Sequence, residues 1–352
     1  MNNIAVLLSG GVDSSVALVR LVKQGYSVTA FYLKIWLEDE LSFLGECPWE
    51  DDLANARAVC EQYGVPLEVI PLQRAYWDRV VAHTIAQIKA GRTPNPDILC
   101  NQQVKFDAFY DTICDRFDVI ATGHYAQVHY DNGVYRLYQA PDAVKDQTYF
   151  LSYLSQEQLS RAWFPIGDLS KDEVRALADQ FDLPNKARKD SQGICFLGKL
   201  KFSDFVRYHL GDRIGNFVEY ETETIYGQHN GFWYYTIGQR QGIGLAGGPW
   251  YVVSKDVDAN IVYISRTYYA PDKIRCTFEV AEPHWIAGTP DISQTIHVKL
   301  RHGKQMHTCD VNWLADNRYQ VMLHDRDQGI APGQYAVFYK NRECIGSGVI
   351  AR

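Results

Sequence analysis

Three short strings hold residue types that can do chemistry together. They are Ser9-Gly10-Gly11-Val12-Asp13-Ser14-Ser15, Thr93-Pro94-Asn95-Pro96-Asp97-Ile98-Leu99-Cys100-Asn101, and Lys189-Asp190-Ser191-Gln192-Gly193-Ile194-Cys195-Phe196-Leu197-Gly198. In the first, two adjacent glycines follow the apolar run Ile4-Ala5-Val6-Leu7-Leu8 and precede Val16-Ala17-Leu18-Val19. Glycine turns at little steric cost, so successive N–H groups can point into one concavity. The positive end of the following helix faces the same place, which suits a phosphate group. No lysine follows the glycines, in contrast to the G-x-x-x-x-G-K-[ST] loop. The turn is therefore better suited to gripping a departing pyrophosphate than to moving a terminal phosphoryl group.

In the second string, two prolines stiffen the loop ahead of a helix expected to start near Asn101. That start puts Cys100 at the positive end of the helix, where the thiolate is favoured. Asp97 on the same loop is placed to exchange a proton with a reacting group. The same residues also read as a helix cap (Asp97) and a core thiol (Cys100). In the third string, Gly193 and Gly198 bracket Cys195 and suggest an irregular loop. A cysteine there is either exposed and reactive or a buried thiol in a turn. Taken together, a nucleotide loop and two such cysteines can activate a carbonyl and replace its oxygen by sulfur.

The elements that must position these residues alternate in the first half. Strand-like runs occur at Ile4–Leu8, Val28–Leu33, Leu67–Ile70 and Asp118–Thr122. Helical spacing covers Asp51 to Tyr63, about Ala75 to Ala90, and about Asn101 to Arg116. Two further helical segments fall between Gln156 and Leu183. Such alternation implies a parallel sheet covered by helices, with ligands outside the carboxyl ends of its strands. After about residue 205, glycines cluster and short alternating runs such as Ile296–Leu300, Tyr319–Leu323 and Tyr335–Tyr339 suggest a small β-barrel. The expected units are residues 1–205, 206–271 and 272–352.

A chain of 352 residues, 46% hydrophobic and 22% charged, has the composition of a globular protein with two or three domains. No apolar run reaches the length of a membrane span, and a strand begins within a few residues of Met1, so a cytoplasmic location is expected. The net charge of −7 excludes an overall basic field, so any RNA contact must be local. Lys186, Arg188, Lys189, Lys199 and Lys201 form one candidate patch, although such a cluster is more often a solvated face than an RNA contact. The eight cysteines (47, 60, 100, 114, 195, 276, 309 and 344) include no C-x-x-C pair, against a zinc ribbon or a disulfide framework. No resident metal site is expected.

SGGVDSS resembles the PP-loop of ATP pyrophosphatases. With TPNPDILCN, Ala121-Thr122-Gly123-His124-Tyr125, Lys145-Asp146-Gln147-Thr148-Tyr149-Phe150-Leu151, DSQGICFLG and Thr236-Ile237-Gly238-Gln239-Arg240, it stands in the order found in tRNA-specific 2-thiouridylases. The resemblance covers essentially the whole chain. It implies an α/β plus β fold: an N-terminal Rossmann-like PP-loop domain (adenine nucleotide alpha hydrolase-like), a small central domain and a C-terminal β-barrel that binds tRNA. It implies ATP- and Mg²⁺-dependent conversion of the wobble uridine of tRNA to 2-thiouridine, with sulfur from a cysteine desulfurase or sulfur-relay protein.

On that resemblance Leu7, Leu8, Ser9, Gly10, Gly11, Val12, Asp13 and Ser14 hold ATP, with Asp13 near the metal. Leu33 and Gly123 contact the nucleotide through backbone. Asn95, Pro96 and Asp97 surround the target base. Cys100 is the nucleophile, Cys195 carries the persulfide, and Asp97 is the acid/base. His124, Lys145, Asp146, Gln147, Arg301, His302 and Gln334 touch tRNA.

The chain departs from the family pattern at three places. Leu7-Leu8 replaces the usual Gly-Met, His302 stands where tyrosine is common and puts base stacking there in question, and the Leu41 to Trp49 segment is assigned no function. Two other readings remain: a PP-loop ligase amidating a small metabolite, which has no use for paired cysteines, and a non-catalytic tRNA-binding protein with structural cysteines.

Overall fold

The computed structural model describes residues 3–35, 49–189, 201–267, 275–292, 294–327 and 329–351. The amino-terminal apolar run forms β1 (Ile4–Leu7), buried on both faces as a central parallel strand is. β2 (Val28–Lys34) and β4 (Val119–Thr122) flank it, with Leu7 level with Phe31 on one side and Thr122 on the other. β3 (Leu67–Pro71) and β7 (Ala162–Trp163) complete an all-parallel sheet in the order β3-β2-β1-β4-β7. The strand order reverses at β1 and β4, which opens a crevice beyond their carboxyl ends.

Helices cover both faces. α1 (Val12–Lys23) and α2 (Trp49–Tyr63) pack with Ile4, Val6 and Leu8, and α2 buries the expected stripe Leu53, Ala56, Val59 and Cys60. On the other face, α3 (73–89) and α4 (96–113) pack with Ala5, Leu7 and Phe31. After α5 (Thr148–Leu151), Ser155 caps α6 (Gln156–Arg161) and Ser170 caps α7 (Lys171–Gln180), each closing a capping box with Gln158 or Glu173. Two expectations need correction here. The helix of the Cys100 string starts at Pro96 rather than near Asn101, because the Asn95 side chain accepts from the amides of Asp97 and Ile98 and proline suits the first helical position. The expected break at 205/206 falls inside α8 (Phe202–Leu210), whose Phe205 and Val206 pack into the amino-terminal core.

Beyond α8, β8 (Gly215–Glu219), β9 (Ile225–His229), β10 (Tyr251–Asp256) and β11 (Ile261–Ser265) form a small sheet around Phe217, Phe232, Trp250 and Val262. The C-terminal strands β12 (Thr277–Trp285), β13 (Ile296–Lys299), β14 (His307–Leu314), β15 (Arg318–Leu323), β16 (Tyr335–Lys340) and β17 (Glu343–Ile350) run in the order β12-β15-β14-β13-β16-β17. Pairing of β12 with β17 closes the barrel.

A hairpin that sequence periodicity did not reveal, β5 (Ala126–Asp131) and β6 (Val134–Gln139), extends this sheet from the amino-terminal unit. Leu137 pairs with Cys344, and Arg136 bonds Glu343 at 2.7 Å. At the same junction Lys299 and Asp146 form an ion pair at 2.9 Å with side chains 3% and 0% exposed. Among the described residues no helix is long and apolar enough to cross a membrane.

Removing one member of a buried pair strands the other charge. Lys299→Met is expected to cost about 3–5 kcal/mol of stability. The measurement is the midpoint of chemical denaturation; the exposed pair Arg74–Asp78 serves as control, and Arg74→Ala should leave that midpoint in place.

Candidate active site

The glycine turn lies at the carboxyl end of β1. Gly10 has φ +75°, and a Cβ on it would stand 2.1 Å from the carbonyl oxygen of Asp52, so only glycine fits. The Gly10 carbonyl accepts from Asn185 Nδ2 at 2.8 Å and Arg188 Nη1 at 3.1 Å, and Arg188 also pairs with the Asp52 carboxylate. Gly11 precedes α1; Ser14 and Ser15 each donate to its carbonyl, and Ser9 N–H donates to Ser14 Oγ. At the end of β4, a Cβ on Gly123 would stand 2.6 Å from the Ser14 amide nitrogen. The backbone of Leu7 to Ser14 and of Gly123 thus lines one tight cradle at the switch point, with half-buried Leu33 on neighbouring β2. Such a cradle of backbone and helix N-terminus fits a nucleotide phosphate.

Asp13 is held from two sides. Its Oδ1 accepts from Tyr125 OH at 2.9 Å and from Lys171 Nζ at 2.7 Å. Lys171 is the first residue of α7 and brings to the cradle the cation that the glycine turn lacks in sequence. The Ser170-to-Glu173 capping pattern was readable in the chain; its position opposite Asp13 was not. Among the described residues no group of three or more His, Cys, Asp or Glu forms a metal site. A single carboxylate suits a magnesium ion that arrives on phosphates and takes its other ligands from them and from water.

The Thr93–Asp97 loop is docked on the barrel. Thr93 N–H donates to Pro332 O at 2.8 Å, and Gly333 lies so close that a Cβ would meet Thr93 N at 2.9 Å. Asp97 is half-buried in the first turn of α4. Cys100 is 1% exposed, among Ile98, Leu99 and Val104. The expectation of a thiol at the helix N-terminus is corrected accordingly: it lies a full turn in, where the dipole acts weakly. The capping role read for Asp97 belongs to Asn95. From Cys100 to Ala108 the helix is π-wound, a departure that recurs at functional sites.

Next to Cys100, buried Asn101 donates to Phe150 O and accepts from Lys105 Nζ, both at 2.9 Å. Burial, and then the Lys105 charge, hold His124 well below the usual imidazole pKa, while its Nδ1 bonds Thr122 Oγ1 at 2.7 Å. Burial pushes the Cys60 thiol up to about 11 and Cys309 up to about 12, which marks both as inert packing groups. Cys195 and Cys47 lie outside the described residues.

The expected tRNA contacts of the barrel gather around Tyr149, a buried ring whose part the sequence did not indicate. Its hydroxyl donates to Tyr335 O at 3.1 Å, with Gln334 Oε1 at 3.5 Å. His302 is exposed, stacks on Phe150 at 4.7 Å between centroids, and bonds Asp146 O through Nε2 at 3.1 Å. Arg301 forks onto Asp327. Lys145 and Gln147 are half-buried.

Asp146 departs from expectation. It is 1% exposed, and its carboxylate is engaged by Lys299, Gln139 and Thr148, so its side chain fastens the domains together rather than meeting RNA.

These placements give two expectations. Iodoacetamide should modify exposed Cys114 well before Cys100, Cys60, Cys309 or Cys344, read by peptide mass mapping. Burial, as the largest cause, lowers the pKa of His124, His209 and His229. Below pH 6.5 the unfolded chain takes up protons that the folded chain refuses, so stability present above that pH is lost as pH falls. Thermal melts should shift down between pH 7.5 and 5.5; an unchanged midpoint would contradict the assigned burial.

Residues 2–199 match the family model described as tRNA methyl transferase HUP domain. Residues 203–266 match the tRNA methyl transferase PRC-barrel domain, and 275–350 the aminomethyltransferase beta-barrel domain. The chain is similar to tRNA-specific 2-thiouridylase MnmA of Porphyromonas gingivalis, 43% identical over 360 residues, covering 99% of each chain. It is 44% identical over 356 residues to tRNA-specific 2-thiouridylase MnmA 1 of Bacteroides thetaiotaomicron, covering 99% of this chain and 100% of that one. A 4-thiouridine synthetase–RNA complex with bound ATP aligns at 12% identity and a TM-score of 0.35, over 60% of this chain and 50% of that one, a likeness too slight to argue from.

Proposed function

The chain belongs to the tRNA-specific 2-thiouridylase family, and from that premise we propose the residues through which it exchanges the C2 oxygen of a tRNA uridine for sulfur. It is a tRNA sulfurtransferase. Identity of 43–44% along 99% of the chain carries the reading; the steric demand for glycine at 10 and 123, on the crevice of a doubly wound sheet, supports its nucleotide half.

The C2 carbonyl of uridine is a poor electrophile because its oxygen is a poor leaving group. In the proposed first step, O2 of the wobble uridine attacks the α-phosphorus of ATP: an O2–P bond forms, the bond to pyrophosphate breaks, and Asp97 takes the N3 proton. The Leu7 to Ser14 backbone and Lys171 hold the departing pyrophosphate, Lys171 exchanging Asp13 for phosphate oxygen. Asp13 would hold a magnesium ion brought in by the phosphates, which would supply charge neutralisation. In the second step, the sulfane sulfur on Cys195 bonds to C2 and AMP departs. The Cys100 thiolate displaces the Cys195 sulfur, so two cysteines are oxidised to a disulfide as the sulfane sulfur is reduced. Thiol reductants reset the pair.

Asn95 and Pro96 frame the base, which must leave its stack to arrive there. Cys100 is buried, so tRNA docking opens the first turns of α4. His124, Lys145, Gln147, Arg301, His302 and Gln334 hold the RNA by local contacts, which a net charge of −7 requires and which salt should weaken. A cysteine desulfurase or sulfur-relay protein in the cytoplasm loads Cys195.

Mass analysis of tRNA nucleosides after incubation with ATP, Mg²⁺ and a persulfide donor tests the reading directly. Cys100→Ser and Cys195→Ser should each yield no 2-thiouridine, while Cys195→Ser still releases pyrophosphate in a tRNA-dependent way. Asp13→Ala should release none, and Lys171→Met should lower kcat/KM for ATP about 10- to 100-fold, as loss of a charged hydrogen bond does. ATP turnover that ignores tRNA would favour the metabolite ligase instead.

A further inference from the structure

We propose that His307 and Asp327 are positioning residues for tRNA recognition, holding the guanidinium of Arg301 in one fixed orientation. The inference rests on the reading of Arg301 as a tRNA contact. Arg301 follows β13, and its side chain is about half exposed while its partners are sealed in the barrel. Asp327 is 3% and His307 2% exposed. The guanidinium meets the Asp327 carboxylate as a fork, Nη1 to Oδ1 at 3.1 Å and Nη2 to Oδ2 at 2.6 Å. Nη2 also approaches Gln305 Oε1 at 3.4 Å.

The carboxylate is itself pinned. Gly329 N–H donates to Oδ1 at 2.7 Å, and His307 Nε2 lies 3.2 Å from Oδ2. The other ring nitrogen, Nδ1, faces Asp325 Oδ1 at 2.7 Å, which fixes the ring. On its Gly329 side the guanidinium is packed so closely that a Cβ on that glycine would stand 2.5 Å from Nη1.

A bidentate fork fixes the plane of a guanidinium, which a monodentate contact does not. An arginine already held in its binding orientation gives up less freedom when a phosphate arrives, so its contact contributes more affinity. Arg301 retains donors beyond those used on Asp327 and Gln305. Its charge also acts on Tyr149, whose hydroxyl meets Gln334, two residues of the group in which the expected RNA contacts gather.

Binding of an unmodified tRNA transcript across a salt series, with thermal melts of each full-length variant, tests the proposal. Arg301→Met should weaken binding and reduce the slope of log K against log salt by about one phosphate's worth. His307→Asn, which reaches only as far as Nδ1, loses the bond to Asp327 and should weaken binding at least threefold with the same loss of slope. His307→Gln reaches as far as Nε2 and should retain the parental slope. Gly329→Ala alters no charge, displaces the guanidinium and should behave like His307→Asn, which keeps the test open should that variant fold poorly. Combining Arg301→Met with His307→Asn should weaken binding no further than Arg301→Met alone.

Parental binding by Gly329→Ala and His307→Asn beside a weakened Arg301→Met overturns the proposal and leaves the reading of Arg301 standing. Equal behaviour of His307→Gln and His307→Asn also overturns it. Parental binding by Arg301→Met would overturn that reading itself.

Discussion

One buried carboxylate sets how the halves of this protein meet. Asp146 accepts from Lys299 of the barrel, from Gln139 of the hairpin that edges it, and from Thr148 at the start of the helix that follows. Its carbonyl receives His302. Water is excluded from the carboxylate, so each of these donors is obliged to stay. The consequence reaches outward: Tyr149, three residues on, is driven against Tyr335 and Gln334, and the Thr93–Asp97 loop is set down on Pro332 and Gly333. The Thr93–Asp97 loop is thus fixed by contacts from a different domain, rather than by its two prolines alone.

The nucleotide cradle depends on a different constraint, one of space. Gly10 sits under the Asp52 carbonyl and Gly123 against the first turn of α1, so two strand ends and a helix N-terminus come within contact distance only because neither position carries a side chain. Around this bare backbone the charges are supplied from far along the chain. Asn185 and Arg188 orient the Gly10 peptide, and Lys171 faces Asp13. These Asn185 and Arg188 contacts tie residues 185–188 to the glycine turn.

Legibility in the sequence followed the range of the interaction. Local signals read well: the apolar run of β1, the glycine turn, the α2 stripe and the alternating strands of the barrel each announce themselves within a few residues. The start of α4 was misplaced because Asn95 outcompeted Asp97 for the cap, a choice that depends on the extended backbone proline allows before it. The hairpin of β5 and β6 was missed because its strands bury little: Tyr130 is 64% exposed, and their stability comes from pairing with β17, over 200 residues away. Lys171, Tyr149 and the Asp146–Lys299 pair were invisible for the same reason. Their partners are set by topology, which no spacing within a motif records.

Burial also separates the cysteines by what they are able to do. Cys60 and Cys309 lose thiolate character to desolvation and stay as packing groups. Cys100 is as well covered as they are, yet it stands in a different setting: one turn from a proline-led helix start, on a π-wound segment, beside an Asn101–Lys105 bond that reaches toward His124. A π-wound turn carries one residue more than an α-turn, so a modest rewinding rotates the residues at its edge. Cys100 is the first residue of that turn. Cys100 is therefore shielded by packing alone, on the segment of the helix whose winding is easiest to change.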